Sequence, residues 1–295
     1  SELMINNFYK KARDIANING LMINSEAGGP GLPLHNVPVE PLKALGTLDI
    51  PRGEFWINHS RLNEQGIDIL RVVKEVSAAS HIYGRGIVEE EAFTTFQQWQ
   101  EAPVDMKPLG DRAFCEGLNK VVVHGFSHNP PGTGNPGYVY HAGTHFNDKR
   151  VWWPMVRHFN EYLARISFIA RESSFYADVL YYYGDKIPNY AGHKNGRFVV
   201  APGFDYEVIN TEILMKLVSV NGELVLPGGA RFKILCLENE GEINSGVLLK
   251  LKELAGSGAL IIGEKPGKFT RLKDPGDTTD YQNLTDKLWI DFSNR

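Results

Sequence analysis

Three glutamates, Glu26, Glu54 and Glu91, each stand at or near the end of a short apolar run, and they recur at intervals of roughly 30 residues, the length of one strand-plus-helix unit. Carboxylates grouped around an open cleft are what hydrolysis of a glycosidic bond requires. One protonates the leaving oxygen while another activates water or attacks the sugar. The surroundings suit that chemistry. "GEFW" sets Phe55 and Trp56 beside Glu54, and the apolar face of a sugar stacks on aromatic rings while its hydroxyls bond to charged groups. Neighbouring acids in a partly dry cleft also push one pKa upward, which makes a general acid available near neutral pH. Glu89 and Glu90 directly precede Glu91 in "GRGIVEEEAFTTF"; for this pair the simplest expectation is a solvated loop at a strand end. The next strand, "KVVVHGF", ends at His124, and His128 follows four residues later. At a strand end these histidines either bond substrate or simply pack.

Other motifs carry less. The spacing of His124 with His128, and of His141 with His145, invites a zinc reading, but the acid of HExxH is missing and Pro130, Pro131 and nearby glycines oppose the helix it needs. "GTGNPG", Gly132 to Gly137, matches a dinucleotide fingerprint letter for letter; Pro136 and the lack of a following helix remove its mechanism, so no nucleotide cofactor is expected. Asn58 and Asn283 head N-x-S/T triplets, a pattern common by chance. No Ser/His/Asp set stands out, and neither Cys115 nor Cys236 has a local signature of activation.

The elements that must position these residues are legible in the periodicity. Helical spacing over 8–16 is followed by the strand "LMIN", "VEPLKALG" by "TLDIPRGEFW", "GIDILRVVKEVSAASHIYG" by "RGIVEEEAF", and "PLGDRAFCEGLN" by "KVVVHGF". Strands alternating with helices imply a parallel sheet, whose carboxyl edge is where ligands bind in α/β folds. A long loop rich in Gly, Pro, Asn and His then leads to a helix from about Trp153 to Glu172 with a buried apolar stripe. After Ala177 the composition shifts. "ADVLYYYG", "FKILCLEN" and "ALIIGEK" read as strands, "NTEILMKLV" and "GVLLKLKELAGSG" as helices, a flavodoxin-like pattern lacking phosphate-cradling glycines, for which a structural or oligomerisation role is expected. The expected division is 1–175, 176–270, and a polar tail over 271–295.

At 295 residues and 42% hydrophobic content the chain can fill two cores. A net charge of −4 with no run of Lys or Arg gives no footprint for nucleic acid or an anionic membrane, and no apolar stretch approaches a bilayer's thickness. The first residues lack the apolar core of a signal peptide. Two distant cysteines exclude a disulfide framework but allow one bridge.

"DIPRGEFW", "KEVSAASHIYGRGIVEEEAFT", "LGDRAFCEGLNKVVVHGFSHNP" and "WPMVRHFNEYLARISFIAR" followed by "ADVLYYYG" resemble, in order, the blocks of the bacterial α-L-rhamnosidases of glycoside hydrolase family 106 and their relatives. The resemblance runs from about residue 20 to about 265. It implies a (β/α)8 catalytic barrel followed by further domains, an inverting mechanism on plant cell-wall or related polysaccharides, calcium in some members, and a periplasmic or secreted location. Carried over, Glu91 looks like the catalytic base, Glu54 like an active-site acid near substrate or metal, and Glu26 like a supporting site residue. Only four βα units are visible, so the chain resembles the second half of a barrel joined to the domain behind it, with the general acid on an earlier strand.

The reading is therefore a partial (β/α)8 barrel plus a small flavodoxin-like domain, a glycoside hydrolase acting on α-L-rhamnosides or similar sugars, incomplete as this chain. Catalytic candidates are Glu91, Glu54 and Glu26; Trp56, His124 and His128 line the cleft. The ligand is an oligo- or polysaccharide, the cofactor calcium if any, and exposed sheet edges call for a second copy or a missing half-barrel. The rival reading is a non-catalytic carbohydrate-binding or assembly module.

Overall fold

The computed structural model describes residues 1–29, 37–57, 71–184, 187, 189–238, 243–267 and 277–291. The chain divides into two compact units, Ser1–Phe175 with Tyr190–Arg197, and Tyr176–Asn189 with Phe198–Arg295. Asn58 and the first residues of the helix expected before Arg71 lie outside the described residues.

In unit 1 a helical run over 2–18, α1, comprises Glu2–Met4, a π-helical Ile5–Lys10 and Lys11–Ile18. Strand β1 is Asn24–Ser25, α2 Pro41–Thr47, β2 Ile50–Trp56, α3 Arg71–Tyr83, β3 Glu89–Thr94, α4 Pro103–Cys115 and β4 Lys120–Val123. Two helix starts have a local reason. Glu40 accepts the backbone N–H groups of Leu42 and Lys43 just before Pro41, and Asp105 accepts the Ala102 N–H at 2.9 Å before α4, which opens on Pro103. Gly46 in α2 is required by packing, because a Cβ there would lie 2.1 Å from the Tyr83 ring of α3.

The four strands pair in the order β1-β2-β3-β4, all parallel. Along β2, Pro51, Gly53 and Phe55 are buried while Arg52, Glu54 and Trp56 are half-buried. Two faces with different fates explain that alternation. One face joins Phe55, Ala92 and Phe93 to Val73, Met106, Ala113, Leu118, Phe159 and Leu163 in a continuous core. The other carries the charged residues. A short 3-10 turn, Trp153–Met155, leads into α5, Val156–Glu172; of the apolar stripe expected there Phe159 and Leu163 are buried, whereas Met155 and Ile169 are exposed.

The strands do not stop at the acids. β2 continues two residues past Glu54, and Glu89, Glu90 and Glu91 open β3 rather than closing it. Nor do Glu89 and Glu90 solvate a loop, since both are buried. Alternation sends Glu89 and Glu91 to the charged face and Glu90 to the opposite one.

Unit 2 holds a second parallel sheet with strand order β11-β10-β5-β6, formed by β5 Val179–Tyr182, β6 Tyr206–Ile209, β10 Ile234–Leu237 and β11 Leu260–Ile262. Helices α6 Thr211–Lys216 and α7 Ser245–Gly256 are capped by the side chains of Asn210 and Asn244. A helix α8 spans Asp277–Asp291 and contains Asn283. β7 Val218–Val220, β8 Glu223–Val225 and β9 Arg231–Phe232 form a small antiparallel sheet. The helix expected over "NTEILMKLV" thus ends at Lys216, and Val218 begins a strand. Its hairpin turns at Asn221-Gly222, both with positive φ, a two-residue signal for such a turn that the apolar helical spacing through Leu217 obscures. Among the described residues no helix is long and apolar enough to cross a membrane. Cys115 and Cys236 are free thiols.

Candidate active site

The charged face of the first sheet brings Glu26, Glu54 and Glu91 together, with one carboxylate oxygen of each within 4.8 Å of the others. Register dictates this. Glu54 of β2 sits directly opposite Glu91 of β3, while Glu26 follows Ser25, which pairs with Pro51, and so falls level with Arg52. Arg52, on the same face and unnoticed in the sequence, knits the group. Its Nη2 donates to Glu91 at 3.0 Å, and its Nε lies 3.8 Å from both Glu26 and Glu89. Glu89, deeper in the sheet, is held by Lys120 Nζ at 2.6 Å and by the Asn24 amide. The three consecutive acids therefore take three roles: Glu89 in a buried ion-pair network, Glu91 at the open end of that network, and Glu90 buried on the opposite face of the sheet.

Burial and neighbouring acids both act on these carboxyls. Burial, then the charges of Glu54 and Glu91, push the Glu26 carboxyl up to about 7, against the smaller opposing pull of Arg52. Glu90 is pushed well above its ordinary range, first by burial and then by Glu26 and Glu54. Neither of its oxygens has a hydrogen-bond partner. A neutral carboxylic acid is the form that position tolerates.

The upper rim is set by a β-bulge. The β2–β3 pairing runs Phe55 to Ala92 and then Trp56 to Thr94, so Phe93 is the extra residue, with φ of 67°. Strict alternation would leave Thr94 on the core face with Ala92. The bulge spends Phe93 on the core and returns Thr94 to the charged face. There the Thr94 hydroxyl lies 3.2 Å from His124 Nδ1, which is itself 3.3 Å from Glu91. His124 thus joins the site. His128 is exposed on the irregular segment that follows, and no helix aligns it with His124.

That segment doubles back on the sheet. Gly143 N–H donates to Thr95 O at 2.7 Å, Thr144 to His124 O at 3.0 Å and Phe146 to Gly125 O at 3.1 Å. Gly143 has φ of 110°, and a Cβ would meet the Gly125 nitrogen at 3.0 Å, so the close approach needs glycine. The return delivers Tyr140 and His141. Trp56 meets Phe96 edge-on at 4.9 Å, Phe96 faces His141 at 6.5 Å, His141 lies 4.3 Å from Tyr140, and Tyr140 meets His124 at 5.7 Å. Trp56 therefore belongs to the rim, as its place beside Glu54 suggested; Phe96 and Tyr140 were missed because loop aromatics show no periodicity.

Three carboxylates offer hard oxygen donors, the ligand type calcium takes. The donor set fits calcium. Unit 2 contains a cavity of about 450 Å³ lined by Leu237, Leu251, Leu260, Ile262, Leu288 and Trp289 among others. Among the described residues lining it, none carries a titratable side chain.

The alpha-L-rhamnosidase family of glycoside hydrolases, family 106, matches residues 1–295. The chain belongs to that family. It is 32% identical over 295 residues to a Formosa agariphila protein named "Putative beta-glucuronidase", with 98% of this chain and 24% of the relative aligned. The rhamnosidase of Novosphingobium sp. PP1Y superposes with a TM-score of 0.80 at 26% identity, over 98% of this chain and 28% of the other. The chain thus spans about a quarter of the length of these family relatives. The mixed α/β fold with parallel sheets is the one found in that rhamnosidase.

Proposed function

We propose that unit 1 carries part of the active site of a glycoside hydrolase acting on α-L-rhamnosides or chemically similar neutral sugars. The observation that carries this is the convergence of Glu26, Glu54 and Glu91 on one face of a parallel sheet in a family 106 chain. Four parallel strands with helices between them support a partial (β/α)8 barrel. In unit 2 the parallel strands in chain order stand as 2-1-3-4, an order that supports the flavodoxin-like reading.

Glu91 is the base. Arg52 fixes its carboxylate from one side and His124 lies against it on another, so the oxygen that receives water's proton is held in place. In an inverting pair the two carboxyls stand about 6.5–9.5 Å apart to admit that water. One oxygen each of Glu26 and Glu54 lies within 4.8 Å of one oxygen of Glu91, an approach that favours shared binding over such a pair. Inversion therefore draws its general acid from outside the three. Glu26 and Glu54 bind instead: substrate hydroxyls and calcium are the natural partners of paired carboxylates on this face. Calcium, when bound, supplies positive charge that offsets the acids and attracts hydroxyl oxygens. Among the described residues the face holds four carboxylates, Glu26, Glu54, Glu89 and Glu91, against two cations, Arg52 and Lys120. That excess favours a neutral deoxysugar over an anionic glucuronate.

The intact protein is expected to hydrolyse an aryl α-L-rhamnoside in preference to an aryl β-D-glucuronide. Glu91→Gln should lower kcat by about 10³-fold, the usual scale of a lost general base, with little change in thermal unfolding. Equal turnover by the Gln variant would remove Glu91 from the chemistry. The same close spacing of the three acids also suits a second reading, a carbohydrate-binding module without turnover; saturable rhamnoside binding with no hydrolysis would establish it.

A further inference from the structure

The rim rings form a chain that starts and ends at the glutamates. Trp56 stands two residues beyond Glu54 on β2, and His124 touches Glu91 at 3.3 Å. Between them run Phe96, His141 and Tyr140, each ring within 6.5 Å of the next. Exposure rises outward, from 22% for the Glu91 side chain and 29% for His124 to 38% for Phe96 and 53% for Tyr140. The acids lie at the bottom and the rings above them, toward solvent. Phe96 is brought there through the Phe93 bulge and Tyr140 by the return of the 124–150 segment, two unrelated stretches of chain converging on one rim.

We propose that Trp56, Phe96, His141, Tyr140 and His124 form a second sugar subsite, which binds the pyranose unit on the leaving-group side of the bond cut at Glu91. A pyranose offers an apolar face of C–H groups and a rim of hydroxyls; the face lies on Phe96 and Tyr140, and the ring nitrogens of His141 and the Tyr140 hydroxyl reach the rim. The five rings themselves carry no fixed charge, and the charge that His124 touches is the Glu91 carboxylate at 3.3 Å, so the unit they accept is an uncharged sugar. This inference rests on the proposed function, because it takes the glutamates as the place where the bond is cut.

The test uses intact protein carrying Glu91→Gln, so that ligands stay whole, and compares a rhamnosyl disaccharide with methyl α-L-rhamnoside by calorimetry. A further Tyr140→Ala or Phe96→Ala change should weaken the disaccharide about tenfold, the loss of one stacked ring, and leave the methyl glycoside unchanged. Tyr140→Phe and Phe96→Tyr keep a ring and should keep most of the affinity, which separates stacking from a general loss of fold. Equal weakening of both ligands, or of neither, overturns the subsite. Turnover of both ligands by the protein without the Glu91 change is measured separately: if it hydrolyses neither, the reading of Glu91 fails, while the binding comparison still decides whether the outer subsite exists.

Discussion

The two parallel sheets have four strands each, and they differ in what their strands carry. β5, β6, β10 and β11 of unit 2 are built largely from Val, Leu, Ile and Tyr, with helices capped by asparagine. β2 and β3 of unit 1 put Arg52, Glu54, Glu89, Glu90 and Glu91 into seven-residue and six-residue strands. Desolvating that many carboxylates opposes folding. Unit 1 answers with Arg52 and Lys120 on one face and with a neutral acid at Glu90 on the other, yet leaves Glu26 raised to about 7. A sheet whose only task was to fold would resemble the second. The first keeps three half-buried carboxylates close together on one face.

If the second sheet is held by apolar packing, Leu235→Ala at its fully buried centre should produce the largest stability loss, about 3 kcal/mol from burial and cavity terms together, read as a fall in Tm. Arg52→Met should destabilise unit 1 by about 2 kcal/mol, below the range for a fully buried pair because Arg52 keeps some solvent contact. Lys233→Met, which removes the exposed lysine paired with Asp178 in unit 2, should lower Tm by less than Arg52→Met does. Equal effects of the two cation removals would erase the contrast between the sheets.

A smaller effect appears with pH. Glu26 has a folded pKa of about 7, above its ordinary 4.5, so the folded state holds its proton more tightly than the unfolded chain. Its contribution is then most favourable below pH 4.5 and is lost as pH rises through 4.5 to about 7. Without added calcium, thermal stability should decline across that window more steeply than in Glu26→Gln. Identical slopes would mean that neither burial nor the neighbouring charges hold a proton on Glu26.

Much of unit 1 was legible from its residues. Glu26, Glu54 and Glu91 recur with the βα period, and parallel register then aligns them without further information. The position of the acids within the strands was not legible, because "VEEEAF" reads as an apolar run meeting polar residues, and it takes Arg52 and Lys120 beside Glu89 and Glu91, with Glu90 as a neutral acid, for a strand to begin with three carboxyl groups. Arg52 alone on a strand suggests solvent, whereas it is the cation shared by three acids. The bulge left no mark either: Phe93 adopts a left-handed conformation that neither glycine nor asparagine announces, and it is stabilised by packing on Phe55 at 5.2 Å and Phe159 at 6.0 Å. Thr94 and the return of Tyr140 follow from that tertiary choice.

Calorimetric titration of calcium into the intact, metal-stripped protein tests the gathering of Glu26, Glu54 and Glu91 most directly. The account predicts saturable binding, with proton release near pH 7 as Glu26 ionises, and a loss of at least about tenfold in affinity when any one of the three is changed to glutamine. Absence of saturable binding, or calcium binding that all three substitutions leave intact, would contradict it.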